Sequence, residues 1–308
     1  MSGKLRKSYD AVVIGGGPAG LSAALVLGRA CREVLLVDAG AGRNAPATAI
    51  HGFLGHDGTS PSELRRIGRA QLQPYDVDVQ DATVTSVKKL DAGFEIAIDQ
   101  AIVQCRTLIL ATGIADKLPE IPGAKVWWGR GVLLCPYCHG WEIRNQPWAF
   151  MAPTKQLIDR ATMLLGWTKD LTYLCGDVQL PPDQRRWLTE HAIAIREEPI
   201  VAFEGVEERF TGVTFAQGER LDCAAVFVAS RFSQQSPLAV QLGCEVEAEG
   251  HIAGMIKTEL NGVTSVAGLF IAGDAASAGA TSVASAASEG MMAAVSANMT
   301  MLKAEAAL

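Results

Sequence analysis

Apolar and polar positions recur along this chain in one order: a short apolar run, a break of small residues, a stretch with helical spacing, and another apolar run. Ala11-Val12-Val13-Ile14 and Val34-Leu35-Leu36-Val37 are uninterrupted apolar runs, the pattern of strands covered on both faces. Between them Gly15-Gly16-Gly17-Pro18-Ala19-Gly20 breaks the run and residues 21–30 read as a helix, while Asp38 closes the second run. Farther on, Leu108-Ile109-Leu110 leads into Ala111-Thr112-Gly113, and Leu269-Phe270-Ile271-Ala272 leads into Gly273-Asp274. Residues 275–280 read as a small-residue loop, residues 281–301 as a helix, and residues 61–72 as an amphipathic helix.

The order repeats within the chain. A shift of 137 positions carries the first run onto Trp148-Ala149-Phe150-Met151 and the second onto Leu171-Thr172-Tyr173-Leu174. The same shift carries residues 18–30 onto residues 155–167, which predict a second helix, so a second strand–helix–strand frame is expected. Its special residues differ. Gly15 becomes Ala152, Gly17 becomes Thr154, Gly20 becomes Leu157 and Asp38 becomes Cys175. Ala111-Thr112-Gly113 corresponds to Ala229-Ser230-Arg231, and the stretch Cys175-Gly176-Asp177-Val178 has no arginine before Arg185 and Arg186. The fold class expected is therefore α/β, with two Rossmann-like three-layer dinucleotide-binding domains, the second inserted into the first. The boundaries read as 1–116 with 240–308 for the outer domain and 117–239 for the insert, with crossovers near residues 116–119 and 231–237.

Composition narrows the classes. In 308 residues, hydrophobic positions make up 49% and charged ones 19%, which excludes global disorder. Net charge is −6 with no Lys/Arg-rich run, which argues against a nucleic-acid partner. No apolar run has the length and purity of a membrane span, and residues 1–10 lack the apolar core of a signal peptide. A cytoplasmic protein with no membrane partner is expected. Seven cysteines, of which only Cys135 and Cys138 are close in sequence, do not make a disulfide scaffold.

Two motifs carry chemistry. Gly-x-Gly-x-x-Gly between a strand and a helix, with an acid 18 positions after its last glycine, is a dinucleotide fingerprint. Gly15 permits the turn, Gly17 lets backbone approach a pyrophosphate, and Gly20 lets helix pack on strand. Pro18 and Ala19 open the helix, whose N-terminal N–H groups suit phosphate, and Asp38 can accept from ribose hydroxyls. The alternative is a glycine-rich structural turn. In the second motif, Cys135-Pro136-Tyr137-Cys138-His139-Gly140, a C-x-x-C pair can close a small disulfide. A zinc site would need a second Cys/His pair, and Cys175, Cys223 and Cys244 are isolated, so no metal is assigned. The remaining alternative is two structural thiols.

With these residues in place, the chain resembles the low-molecular-weight thioredoxin reductases, FAD-dependent members of the pyridine nucleotide-disulfide oxidoreductases. The resemblance rests on a split outer domain and a C-x-x-C pair about 120 residues after the glycine loop. Gly129-Arg130-Gly131-Val132 before the pair and Arg144-Asn145-Gln146 after it also fit. It implies that Ala111, Thr112 and Gly113 form the Ala-Thr-Gly motif, that Gly273 and Asp274 form the Gly-Asp motif with Asp274 on the ribityl chain, and that Thr281, Ser282 and Val283 point a helix N-terminus at the flavin. A helix-capping acid is the other reading of Asp274. The resemblance makes Cys138 the thiol that exchanges electrons with the flavin at C4a and Cys135 the interchange thiol.

The chain departs from the family at His139, where typical members carry an acid; Cys-Pro-Tyr-Cys-His-Gly resembles the variant of dithiol oxidases of small-molecule biosynthesis and of atypical reductase-like flavoproteins. His139 then reads as general acid/base for the pair, or as a structural histidine. FAD is the cofactor expected, and NADPH is not expected, because Thr154, Leu157, Cys175 and Arg231 replace the residues that would touch it. Four readings follow: a reductase of a thioredoxin-like protein or small disulfide fed by a donor such as ferredoxin; an oxidase of a small-molecule dithiol using O2; an ordinary NADPH-dependent thioredoxin reductase; and a non-catalytic flavin redox sensor. A homodimer is implied by the family.

Smaller signals remain. His51 and His56 lie in a glycine-spaced loop and could touch flavin or substrate, or simply line a polar loop. Trp148, Trp167 and Trp187 read as core packing or as a stacking surface, and Trp127-Trp128 as packing or a substrate face. Cys31 and Cys105 read as buried thiols.

Overall fold

A computed structural model describes residues 5–40, 42–176, 178–248, 253–276 and 281–307. The expectations for Asp177 and for residues 277–280 lie outside these.

The chain divides into two compact units. One comprises residues 1–45, 61–115 and 232–308, the other residues 46–60 and 116–231. Residues 46–60, read from sequence as part of the outer half, thus pack with the inserted one.

In the first unit the parallel strands stand in the order Val77–Asp81, Val34–Asp38, Ser8–Ile14, Ala101–Leu110 and Leu269–Ile271. The long Ala101–Leu110 strand serves two neighbours. Its first half pairs antiparallel with Phe94–Ile98, and Leu108, Ile109 and Leu110 pair in parallel with Leu269, Phe270 and Ile271. Period-two alternation sorts its side chains: Ala11, Val13, Val34 and Leu36 face one apolar cluster, while Val12, Ile14, Leu35 and Val37 face another. Burial on both faces is why these strands read as unbroken apolar runs. Helices Pro18–Arg29 and Val283–Ala306 cover one face, and a Cβ on Gly290 would meet the Ala19 carbonyl oxygen at 2.0 Å. The last helix starts two residues later and ends five residues later than its sequence pattern suggests. Cys105 is buried as expected, but Cys31 is exposed. It follows the helix end in a left-handed turn at φ 60°, outside the apolar stripe.

The second unit repeats the frame. Its parallel order is Ala194–Arg196, Leu171–Leu174, Trp148–Phe150, Ala225–Phe227 and Val132–Leu133. The internal repeat holds at the level of register: Ala11 pairs with Val34 and Trp148 with Leu171, while Val13 pairs with Leu36 and Phe150 with Tyr173. Trp148, Phe150 and Tyr173 face one cluster, and Ala149, Leu174 and Val226 the other, against a three-stranded antiparallel sheet that supplies Phe203, Phe210 and Val213. Val132–Leu133 occupies here the seat that Leu269–Ile271 holds in the first unit. Trp148 is buried with its Nε1 donating to the Ile143 carbonyl, and Trp187 stacks on His191. Trp127 is buried edge-on to Phe210. Trp148 packs in the core and Trp187 against His191, while Trp127, though buried, also lines an open groove with Phe203, Glu204, Thr211 and Arg220.

Candidate functional site

In the first unit the carboxyl ends of the parallel strands gather the residues singled out from sequence. The strand Ser8–Ile14 turns into helix Pro18–Arg29 through a loop whose glycines have separate roles. Gly15 has φ 112°, and a Cβ there would meet the Ala111 carbonyl oxygen at 2.2 Å. A Cβ on Gly20 would meet the Gly15 carbonyl oxygen at 1.7 Å. Both are demanded by the fold. A Cβ on Gly17 would meet nothing within 4 Å, so the protein itself leaves that space open. Gly17 caps the helix with no side-chain hydrogen bond, and Pro18 has no N–H. The N–H groups of Ala19 and Gly20 therefore lack intrahelical acceptors and are available to an anion. The Ala19 side chain itself is buried against the last helix.

Asp38 is buried at the end of the neighbouring strand. Its Oδ2 accepts from Arg65 at 2.5 Å and Arg69 at 2.8 Å, and its Oδ1 accepts from the Gly40 N–H at 3.0 Å. Burial pushes this carboxyl up, but the Gly40 N–H and the two guanidinium groups outweigh that and hold it below the usual carboxylate range. One lone pair on Oδ1 remains for a further donor such as a ribose hydroxyl. Gly16 is also constrained, because a Cβ there would meet the Asp38 carboxylate, with Oδ2 at 2.2 Å.

Ala111, Thr112 and Gly113 leave the next strand half-buried, with Gly113 at φ 70°. Gly273 turns at φ 74° and donates its N–H to Glu289 Oε2 at 3.0 Å, while Glu289 Oε1 accepts from Ser285 Oγ. Asp274 accepts from Arg43 Nη1 at 2.8 Å and caps no helix, since Ser282 caps the last one by accepting from the Ser285 N–H. Thr281 and Ser282 are exposed and Val283 is partly so. The open space over Gly17, the two free helix N–H groups, the ribose-competent Asp38 and the Gly273-Asp274 turn fit a dinucleotide. Arg43, Arg65, Arg69 and Glu289 escaped sequence reasoning: they meet their partners across 16 to 231 residues of chain, where no local period can signal them.

The redox motif lies in the second unit, just past strand Val132–Leu133. Cys135 precedes one helical turn, Pro136–His139, and the Cys138 N–H donates to the Cys135 carbonyl at 3.2 Å. Gly140 is required because a Cβ there would press on the Pro136 carbonyl oxygen and on the Trp167 ring, which stands edge-on to Tyr137 at 5.0 Å. A hydrogen bond from the Cys138 thiol pulls the Cys135 thiol down to about 6, with help from the backbone N–H groups of Cys138 and Tyr137 and from the Arg160 charge, against the opposing effect of burial. Cys105 and Cys223, by contrast, are pushed up to about 12 by burial.

His139 has both ring nitrogens buried, and neither makes a well-formed hydrogen bond, the Cys135 carbonyl being the acceptor it approaches. Burial lowers its pKa; the Cys135 carbonyl and the Glu142 charge pull back upward, and His51 adds to the lowering. The imidazole is thus neutral at pH 7. His51 stands 3.5 Å from both Asp57 and Glu142, all in this unit, whereas His56 tilts against Phe53. Tyr137 and Trp141 are exposed around the pair, and Arg144 lies over the Trp141 ring at 3.8 Å.

The second glycine-loop position is built differently. Pro153 carries the chain into a 3-10 turn, Thr154–Gln156, before helix Leu157–Leu164 begins. Leu157 does not wedge helix from strand, as its alignment with Gly20 suggests; it is fully buried among Leu133, Trp148 and Phe150. The Ala152 carbonyl accepts from Tyr173 Oη, the Thr154 carbonyl from Gln184 Nε2, and Cys175 Sγ donates to the Val178 carbonyl. Arg231 does not adopt the left-handed turn of Gly113. Arg185 pairs with Glu197, and Arg186 lies 3.9 Å from Glu190.

The fold and site define a flavoprotein-type disulfide oxidoreductase, and the comparisons with known proteins agree. The pyridine nucleotide-disulphide oxidoreductase family matches residues 9–158. A protein of Arthroderma benhamiae named "Probable thioredoxin reductase" is 30% identical over 97% of this chain and 82% of its own. Thioredoxin reductase sirT of Leptosphaeria maculans is 32% identical over 87% of each chain. A solved oxidoreductase from Agrobacterium tumefaciens matches with a TM-score of 0.88 and 36% identity over 96% of this chain and 99% of that one. The chain belongs to the thioredoxin reductase-like family of pyridine nucleotide-disulphide oxidoreductases. It is an oxidoreductase, and its family implies bound FAD. Among the described residues no helix is long and apolar enough to cross a membrane.

Proposed function

We propose that the chain is an FAD-dependent thiol–disulfide oxidoreductase that works through Cys135 and Cys138 and does not take its electrons from NADPH. One observation carries this reading: the first strand–helix frame keeps an open glycine cradle, whereas the second buries Leu157 at the same crossing and has an activated thiol at the end of a strand two places along its sheet. Bound FAD would supply a two-electron acceptor and donor. Gly15, Gly17, Pro18, Ala19, Gly20 and Asp38 would hold its adenosine and pyrophosphate; Ala111, Thr112, Gly113, Gly273, Asp274, Thr281, Ser282 and Val283 would hold its ribityl and ring half.

The chain's own thiols perform the exchange. A substrate thiolate attacks Cys135 of the Cys135–Cys138 disulfide, the S–S bond breaks, and Cys138 leaves. The second substrate thiol then displaces Cys135, so the substrate departs as a disulfide and the pair keeps two electrons. Run in reverse, the same exchange reduces a disulfide of a thioredoxin-like protein or of a small molecule. His139 takes up or returns the proton. Burial disfavours the charged imidazole, so a proton taken from an incoming thiol would be passed on rather than held, which is compatible with the second reading, oxidation of a small dithiol with O2 as the final acceptor.

Anaerobic mixing tests this. The yellow holoprotein is mixed with NADPH, with a dithiol, or with reduced ferredoxin, and flavin bleaching is followed. We expect no fast bleaching by NADPH. Bleaching by dithiol with peroxide formed on admitting air supports the oxidase; bleaching by ferredoxin supports the reductase. Fast bleaching by NADPH overturns the proposed electron source, and turnover that survives Cys138→Ser overturns the thiol roles.

A further inference from the structure

Helix Leu157–Leu164 carries a cation, Arg160, that among the described residues forms no ion pair, its sequence neighbour Asp159 included. Arg160 is largely buried, its Nε is enclosed without a hydrogen-bond partner, and its Nη2 donates only to main-chain carbonyls, those of Leu134 and Val228. Among the described residues it pairs with no carboxylate, and the one opposing charge it faces is Cys135. Arginine stays protonated in proteins, and a buried charge without a counter-charge is costly. Leu134 immediately precedes Cys135, and Val228 immediately follows the adjacent parallel strand Ala225–Phe227. The guanidinium therefore ties together two strand ends and brings its charge to the base of the redox turn.

We propose that Arg160 is a positioning residue of the thiol pair, its buried guanidinium serving as the counter-charge of the Cys135 thiolate that forms when the disulfide is reduced. The inference rests on the proposed role of Cys135. When an external dithiol reduces the pair, two electrons enter and the S–S bond breaks. Of the two protons that the dithiol gives up, one stays on Cys138 and the other leaves by His139. Cys135 remains as thiolate, hydrogen-bonded by the Cys138 thiol and facing Arg160. The oxidised pair is neutral and leaves the cation uncompensated, so Arg160 favours the dithiol state and an interchange thiol that is nucleophilic at neutral pH. The helix that would carry a nucleotide phosphate in an intact second frame thus supports the thiol chemistry instead.

The other groups that titrate here are Cys138 and His139 on the redox turn, with Glu142 and His51 acting on His139. To separate Arg160 from these, the dithiol-reduced holoprotein is alkylated with iodoacetamide from pH 5 to 10, and modification of Cys135 is followed by peptide mass spectrometry. We expect the midpoint for Cys135 to rise by at least about one unit in Arg160→Met, a roughly tenfold loss of thiolate-dependent rate at low pH, and to stay near the wild-type value in Arg160→Lys. Should Arg160→Met fail to fold, Arg160→Gln, which keeps a donor for Leu134 without the charge, gives the same reading. An unchanged midpoint in a folded, flavin-containing Met or Gln variant overturns the inference, as does an equal shift in Arg160→Lys, which would mean that only the carbonyl ties matter. The alkylation reads the thiol and not turnover, so the assignment of the thiol pair can fail in the mixing assay while this result stands, and the reverse.

Discussion

The loop from Gly15 to Gly20 and its counterpart from Ala152 to Leu157 occupy the same place in two frames with the same strand register. The first crosses from strand to helix on glycines at van der Waals limits and leaves its helix N–H groups bare. The second crosses through Pro153 and a 3-10 turn, buries a leucine at the crossing, and gives its carbonyls to Tyr173 and Gln184. A parallel strand–helix–strand unit therefore does not itself need glycine. It needs glycine only for the tight crossing that holds backbone N–H groups open to a ligand. A second contrast follows from the strand order. Leu269–Ile271 and Val132–Leu133 hold the same seat, one leading into Gly273-Asp274 and the other into Cys135. Both units place their chemistry at the carboxyl ends of parallel strands, as open α/β sheets do.

Exchanging residues across the comparison gives the largest effects. Gly20→Leu should abolish the first unit's fold, because even a Cβ would sit 1.7 Å from the backbone oxygen of Gly15. We expect colourless, aggregated protein, and a soluble yellow variant would show that the crossing is looser than the geometry says. Leu157→Ala should destabilise the second unit by about 2–5 kcal/mol, the cost of a cavity in a closed core, while flavin content stays at the wild-type level. Denaturant unfolding with absorbance at the flavin band reads both, and loss of flavin without loss of stability would contradict the assignment of Leu157 to packing.

How far the sequence reveals this follows from the same physics. Double-sided burial makes the strands legible as apolar runs, and the shift of 137 positions that places the second frame also carries the Ala11–Val34 pair onto the Trp148–Leu171 pair. Gly15, Gly20 and Asp38 are legible because turn sterics and an acid at the strand end are local features. What stays hidden is non-local. Arg160 finds Leu134 across 26 residues, and Arg43 finds Asp274 across 231. Leu157 misleads because alignment assumes that the crossing is conserved, when the chain rerouted it through Pro153. Residues 46–60 carry no pattern that assigns them to a unit, and only their packing does.

Gly17→Ala sharpens the comparison at its open point. Nothing in the protein lies within 4 Å of the new methyl group, and replacing a glycine cap by alanine changes helix stability only by about 1 kcal/mol or less. FAD affinity should fall by at least roughly tenfold, about 1.4 kcal/mol, because the methyl group takes the space left for pyrophosphate. Apoprotein melting and fluorescence titration with FAD separate the two. Unchanged affinity would place the phosphates elsewhere.

The smallest effect lies in how each frame answers to pH at one matched position, Asp38 against Cys175. Asp38 is held below its ordinary pKa in the folded chain by Gly40, Arg65 and Arg69 despite burial. Its contribution to stability is therefore present above the unfolded carboxylate pKa of about 4 and is lost as pH falls through the lower folded value. Cys175 is pushed the other way, chiefly by burial and next by the charge of Glu197. The folded chain prefers the neutral thiol, so its contribution is present below the unfolded thiol pKa of about 8.5 and is lost as pH rises toward the higher folded value. Denaturant unfolding from pH 3 to 10, compared with Asp38→Asn and Cys175→Ser, should show the acid-side slope weakened only in the first variant and the alkaline-side slope weakened only in the second. The same slopes in both variants and the wild type would mean that these matched positions do not set the pH response of their frames.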